Sequence, residues 1–166
     1  MRRAVALLLA ATLMPAAAMA QVWRADQGDG TYRNPVLFAD YPDPDIIRVG
    51  RDFYFVSTTF ANAPGVTLLH SRDLVNWRIA SHVVATLDGS PRYDLSGGGE
   101  YRHGFFAASL RHHRGTFYLA VTPVGAKTRL YRAPSIAGPW TYTELDRSAF
   151  DPALLFDCLL YTSDAA

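Results

Sequence analysis

Short apolar runs broken by polar turns make up most of the chain, and they recur. From Asp45 to Thr58 the residues read as a strand around Ile46, Ile47 and Val49, a polar turn, and a second strand from Phe53 to Val56, which is the pattern of a β-hairpin. Residues 109–122 line up with it, Ser109 over Asp45 and Thr122 over Thr58. A second correspondence joins Gly65–Trp77 to Lys127–Trp140, each a strand, a turn and a Trp that opens the next strand. Tyr54 to Tyr118 is 64 positions and Trp77 to Trp140 is 63, so the period holds at both landmarks. Outside the first twenty residues no run sustains helical periodicity, and the chain reads as all-β.

A unit of four short strands repeated at about sixty residues reads as the blade of a β-propeller. Trp77 and Trp140 are expected to be buried core rings. A third unit opens at Phe150–Phe156, where Asp151 and Pro152 fall over Asp43 and Pro44; in the second unit those slots hold Ala107 and Ala108. The expectation is therefore two blades plus the first strand of a third. Since propellers close with about four to eight blades, this implies a propeller cut short.

The two ends read differently from the middle. Arg2 and Arg3 precede an apolar run from Ala4 to Met14 and a small-residue site at Ala18-Met19-Ala20, the layout of a secretory signal peptide over 1–20. That run is too short to span a bilayer, which needs about twenty apolar residues. The product is expected to be secreted or periplasmic, with a lead-in over 21–33 and the propeller segment over 34–157. One back-translation of the last stretch, 158–166, resembles a sequencing-adapter read-through, and the stretch is expected to be non-native, with a natural terminal strand from Cys158 to Thr162 as the alternative. The single cysteine, Cys158, falls there and carries no disulfide, metal or nucleophilic assignment.

Composition narrows the class further. Sixteen Lys and Arg against fifteen Asp and Glu give a net charge of +1, without the clustered excess that nucleic-acid or polybasic membrane-surface binding needs. Nine Phe, nine Tyr and three Trp supply ample apolar surface, which excludes a disordered chain. No phosphate loop, zinc pattern or serine-nucleophile motif is present, and the five histidines lack metal-ligand spacing, so neither metal nor cofactor is expected. His112 and His113 fall in a predicted hairpin turn and are expected to be solvated.

Asp43 and Asp151 hold the same slot at the start of first strands two units apart. In a propeller those strands line the central channel, so both carboxylates are expected to face one funnel. Each precedes a proline, which biases its backbone toward an extended conformation. Paired carboxylates across a pocket suit glycosidic-bond cleavage, one as base toward water and another as acid toward the leaving oxygen. The same Asp-Pro pairs also suit a plain turn at a strand start.

The run Asn34-Pro35 followed by Tyr41-Pro42-Asp43-Pro44-Asp45, with Pro64–Trp77 and Phe150–Phe156, resembles glycoside hydrolase family 43. That resemblance implies a five-bladed propeller and β-xylosidase, α-L-arabinofuranosidase or arabinanase activity on xylo- or arabino-glycans. It implies Asp43 as the general base of an inverting reaction, and Asp151 as the aspartate that tunes and orients the acid. The family's acid is a glutamate on a later blade; Glu100 and Glu144 match no such position and read as loop or surface residues. Where relatives often carry Val-Trp-Ala-Pro, this chain has Phe105-Phe106-Ala107-Ala108. Phe60 and Phe106 are the candidate rings for the apolar face of a sugar, with buried core rings the competing assignment. Tyr93 and Tyr101 flank Gly97–Gly99, a loop expected at the pocket mouth. The alternative to an enzyme is a non-catalytic sugar-binding propeller whose aspartates accept hydroxyl hydrogen bonds.

Overall fold

The computed structural model describes residues 23–88, 93 and 103–157. The leader over 1–20, the Gly97–Gly99 loop with Glu100 and Tyr101, and the 158–166 tail lie outside the described residues. The rest forms two antiparallel four-stranded sheets in sequential order. The first holds β1 (Asp45–Val49), β2 (Asp52–Val56), β3 (Gly65–Ser71) and β4 (Arg78–Val84). The second holds β5 (Ser109–His113), β6 (Thr116–Val121), β7 (Arg129–Ala133) and β8 (Thr141–Glu144). The all-β pattern and both predicted hairpins are present.

Equivalent residues take equivalent places. β1 and β2 pair from Asp45 with Val56 to Val49 with Asp52, and β5 and β6 from Ser109 with Ala120 to His113 with Thr116. Both hairpins turn through left-handed backbone, at Gly50 in the first (φ +62°) and at Arg114-Gly115 in the second (φ 48° and 80°). β3 is buried almost throughout, which is why its apolar run is continuous rather than alternating. β8, at the far edge of its sheet, is exposed at every residue. Val56, Leu68, Phe105, Leu110, Leu119 and Val121 form one core.

A repeated hydrogen bond joins the units. The Leu110 amide donates to Asp45 Oδ2 at 2.8 Å, and the Leu154 amide donates to Ser109 Oγ at 3.0 Å. In each case the first residue of an inner strand offers a side-chain oxygen to the amide one place later in the next unit. Arg111 Nη1 adds a 2.7 Å ion pair to Asp45, with both side chains partly exposed. Exposed pairs contribute about 0–1 kcal/mol, whereas stranding a buried amide costs about 1–3 kcal/mol. Asp45→Ala is therefore expected to cost about 1–3 kcal/mol in urea unfolding, and Asp45→Asn, which keeps an acceptor, clearly less. Equal losses for the two variants would contradict the assignment to the amide.

Three expectations are corrected. Residues 151–157 form no strand ladder; the inner strand of a unit takes its ladder from its own hairpin partner, and the described residues supply none here. Trp77 and Trp140 are half-buried rather than buried. Each indole N–H closes its own turn, to the Leu74 carbonyl at 2.9 Å and the Ile136 carbonyl at 3.3 Å, while Trp77 packs edge-on to Phe55. His112 and His113 end β5 instead of lying in the turn, and both are partly buried. His112 packs on Phe117 of the partner strand, and His113 lies parallel to Phe156 at 4.7 Å, where the third unit's opening segment covers it.

Candidate active site

Antiparallel pairing brings the start of each inner strand beside the exit of its second strand. Residue 43 and residues 57–60, like residues 104–108 and 121–124, therefore gather at one end of the sheets. The third unit adds Asp151 at the matching place, since the Leu154–Ser109 bond sets its register.

Asp43 and Asp151 share more than a slot. Both are exposed, and both carry left-handed backbone, with φ of 50° and 46°. This overturns the extended conformation expected from the following prolines. A short carboxylate side chain tolerates this region better than most, but holding a non-glycine residue there costs about 1–3 kcal/mol. Tertiary bonds hold Asp43 in place. The Pro42 carbonyl accepts from Ser57 Oγ at 2.6 Å and from the Thr58 amide at 3.1 Å. Thr58 Oγ1 then donates to Asp43 Oδ2 at 2.6 Å. Ser57 and Thr58 are buried, so the grip is rigid while the carboxylate stays open to solvent.

Phe60 and Phe106 come together edge-to-face, with ring centroids 5.3 Å apart and both rings half-buried. The backbone beside them is tightly built. Phe60 has φ of 50°, and its amide and that of Thr59 share the Phe105 carbonyl at 3.0 and 3.2 Å. The Phe105 amide returns a 3.1 Å bond to Phe60. Phe105 itself is buried and its backbone also bridges to Pro123, so one residue links the exits of β2 and β6.

Sequence reasoning passed over several groups. Thr58 is one, although Thr122 repeats it in the aligned copy. Arg129 is another: it opens β7 opposite Val121, is 4% exposed, and pairs with Asp88 at 2.6 Å while lying over the Tyr142 ring at 4.6 Å. Burial works to lower its pKa, but the hydrogen bonds to Asp88 and Tyr131 outweigh it and raise the pKa, so Arg129 stays charged. Glu144 ends β8, exposed, 3.6 Å from Arg129 Nε. At the opposite end, His70 Nε2 meets Asp52 at 2.6 Å while its Nδ1 accepts from Arg78 Nε at 3.2 Å. The hydrogen bond from His70, followed by that from Arg72, holds the Asp52 carboxyl below the usual aspartate range. Among the described residues no group of three or more His, Cys, Asp or Glu side chains is placed to hold a metal ion.

The model of glycosyl hydrolases family 43 matches residues 32–161. A β-xylosidase of Formosa agariphila is 38% identical over 136 residues, covering 80% of this chain and 23% of that protein. A non-reducing end α-L-arabinofuranosidase of Bacteroides ovatus is 40% identical over 117 residues, covering 67% of this chain and 21% of that protein. The chain thus spans less than a quarter of the length of these curated relatives. A solved bifunctional GH43-CE protein of Bacteroides eggerthii superposes with a TM-score of 0.72 at 37% identity, over 76% of this chain and 18% of that one. The matched stretch holds both sheets together with Asp43, Phe60, Phe106 and Asp151, and the chain belongs to glycosyl hydrolases family 43.

Proposed function

We propose that the two sheets are the first blades of a five-bladed propeller in an exported hydrolase that cleaves xylosidic or arabinofuranosidic bonds with inversion. The observation that carries this reading is Asp43: an exposed carboxylate in strained backbone, gripped by buried donors at the mouth of an inner strand, with its counterpart Asp151 in the same conformation. The names of the relatives, a β-xylosidase and an α-L-arabinofuranosidase, support the substrate class.

In this mechanism Asp43 takes a proton from a water molecule, and the water oxygen attacks the anomeric carbon. The bond to the leaving oxygen breaks on the opposite face, and that oxygen takes a proton from an acid. No glutamate of this chain is assigned as that acid. Asp151 orients the acid and raises its pKa by like-charge proximity. Phe60 and Phe106 offer an apolar corner to the sugar ring, where an indole would give more stacking area.

The test is product stereochemistry. The whole enzyme carrying this segment is expected to hydrolyse 4-nitrophenyl β-D-xyloside or α-L-arabinofuranoside. Proton NMR should show the inverted anomer first. Retention at the anomeric carbon would end the base assignment, and binding of xylo-oligosaccharide without turnover would favour a sugar-binding propeller. Residues 1–166 alone are expected to release no 4-nitrophenol.

A further inference from the structure

We propose that Thr58 and Thr122, the residues at the same slot beyond the second strand of each sheet, are positioning residues for the two aspartates. The proposal rests on the reading of Asp43 as the general base.

In the first sheet the action is direct. Thr58 is 5% exposed and its hydroxyl proton goes to Asp43 Oδ2 at 2.6 Å. Its amide, with the Ser57 hydroxyl, fixes the carbonyl of the residue before Asp43. Among the described residues no protein donor takes Asp43 Oδ1, the oxygen turned away from the Thr58 bond. A base must hold its oxygen about 2.6–3.2 Å from the proton it takes. An exposed aspartate with a free χ1 does not hold that distance; one anchored through its other oxygen does.

In the second sheet the slot facing the threonine is Ala107, and the Thr122 hydroxyl turns elsewhere. It donates to the Ala149 carbonyl at 2.6 Å. Thr128, 1% exposed, donates to Thr122 Oγ1 at 2.8 Å, and its own oxygen accepts from the Ala149 amide at 2.8 Å. Ala149 is thereby gripped at both its N–H and its C=O, two residues before Asp151. The same residue type at the same slot holds a carboxylate directly in one sheet and the approach to a carboxylate in the next. The acceptor that the Thr122 hydroxyl takes belongs to the segment that carries the second aspartate.

The experiment compares Thr58→Val with Thr58→Ser in the whole enzyme. Val keeps the shape and loses the donor, while Ser keeps the donor. Because the Asp43 carboxylate is exposed, water replaces the lost bond, and the urea midpoint is expected to move little. Thr58→Val is expected to lower kcat about 10- to 100-fold, the order expected when a reacting group is displaced by about an ångström, with KM little changed. Thr58→Ser restores kcat to near the parent value. Thr122→Val and Thr122→Ser are expected to follow the same pattern in kcat, although Val at 122 also lowers the urea midpoint because it leaves the buried Thr128 hydroxyl without its acceptor. If Val at position 58 prevents folding, Thr58→Ala, which adds no new methyl to the interior, carries the same comparison. Unchanged kcat in the donorless variant, a rise in KM alone, or a loss that Ser does not restore overturns the proposal. Asp43→Asn separates the two levels. If that variant is inactive while Thr58→Val is fully active, only the positioning role is refuted; if it is active, the base assignment fails and takes this inference with it.

Discussion

Gly104→Ala is expected to cost the chain at least about 3–4 kcal/mol, more than most point substitutions do. A Cβ at this position would stand 2.1 Å from the Phe60 carbonyl oxygen, 2.5 Å from its carbon and 2.9 Å from the Ala61 nitrogen. All three are backbone atoms, so no side-chain rotation relieves the clash. The residue also has φ of +94°, which L side chains rarely adopt. Relief requires moving the 59–61 segment, and that segment exchanges three hydrogen bonds with Phe105. Each buried group left unpaired costs about 1–3 kcal/mol, and Phe105 is 1% exposed in the shared core. Gly125→Ala is the matched control: its φ is +78° but nothing lies within 4 Å, so only the conformational cost of about 1 kcal/mol applies. Urea unfolding of the two variants decides the matter. Losses equal within about 0.5 kcal/mol, the usual range for a substitution away from special features, would show that the close approach does not matter. The same substitution is expected to separate the Phe60 and Phe106 rings, because Phe60 is the residue displaced.

How far the sequence carried the fold depends on what each signal encodes. Alternation and turn chemistry are local, so both hairpins and the two four-strand units were legible from the two pairs of aligned stretches, 45–58 with 109–122 and 65–77 with 127–140. Burial is not local. Trp77 and Trp140 are large enough to suggest core, yet each lies half-exposed because its N–H closes a turn at the sheet edge. His112 and His113 looked like turn residues, and the covering of His113 by Phe156 comes from a segment more than forty residues away. At the site, the correspondence of Asp43 and Asp151 was visible as a repeated slot, but the backbone there ran against the proline rule. That rule describes a residue free to choose, and Asp43 is held by Ser57 and Thr58 just beyond β2. The threonines had a signal that went unused. Thr58 and Thr122 stand at matched positions in the repeat, and a polar residue kept at a buried strand exit has a hydrogen bond to make. Asp45 and Ser109 differ in type but offer an acceptor at the same place, a likeness of chemistry that an identity-based alignment does not register.

The largest effect on turnover is expected from Asp43→Asn in the whole enzyme, a fall in kcat of about 10²–10⁴-fold, the usual contribution of a positioned general base. Asparagine has nearly the same shape as aspartate, and its amide oxygen accepts the Thr58 hydroxyl as Oδ2 does, so the anchor and the left-handed backbone survive. Only basicity is removed. Substrate affinity and the urea midpoint should therefore change little, which separates this variant from one that damages the fold. A nucleophile that needs no deprotonation bypasses the defect. Azide is expected to restore cleavage of an aryl glycoside by Asp43→Asn, forming a glycosyl azide of inverted configuration as the aryl oxygen leaves. It should do nothing for the parent enzyme. Asp151→Asn serves as the contrast: with the base intact, azide has no missing step to replace, and turnover should stay low in its presence. A tenfold loss or less in Asp43→Asn, or azide rescue of equal size in both variants, would mean that position 43 does not activate the water and that its strained, anchored backbone serves the sheet junction instead.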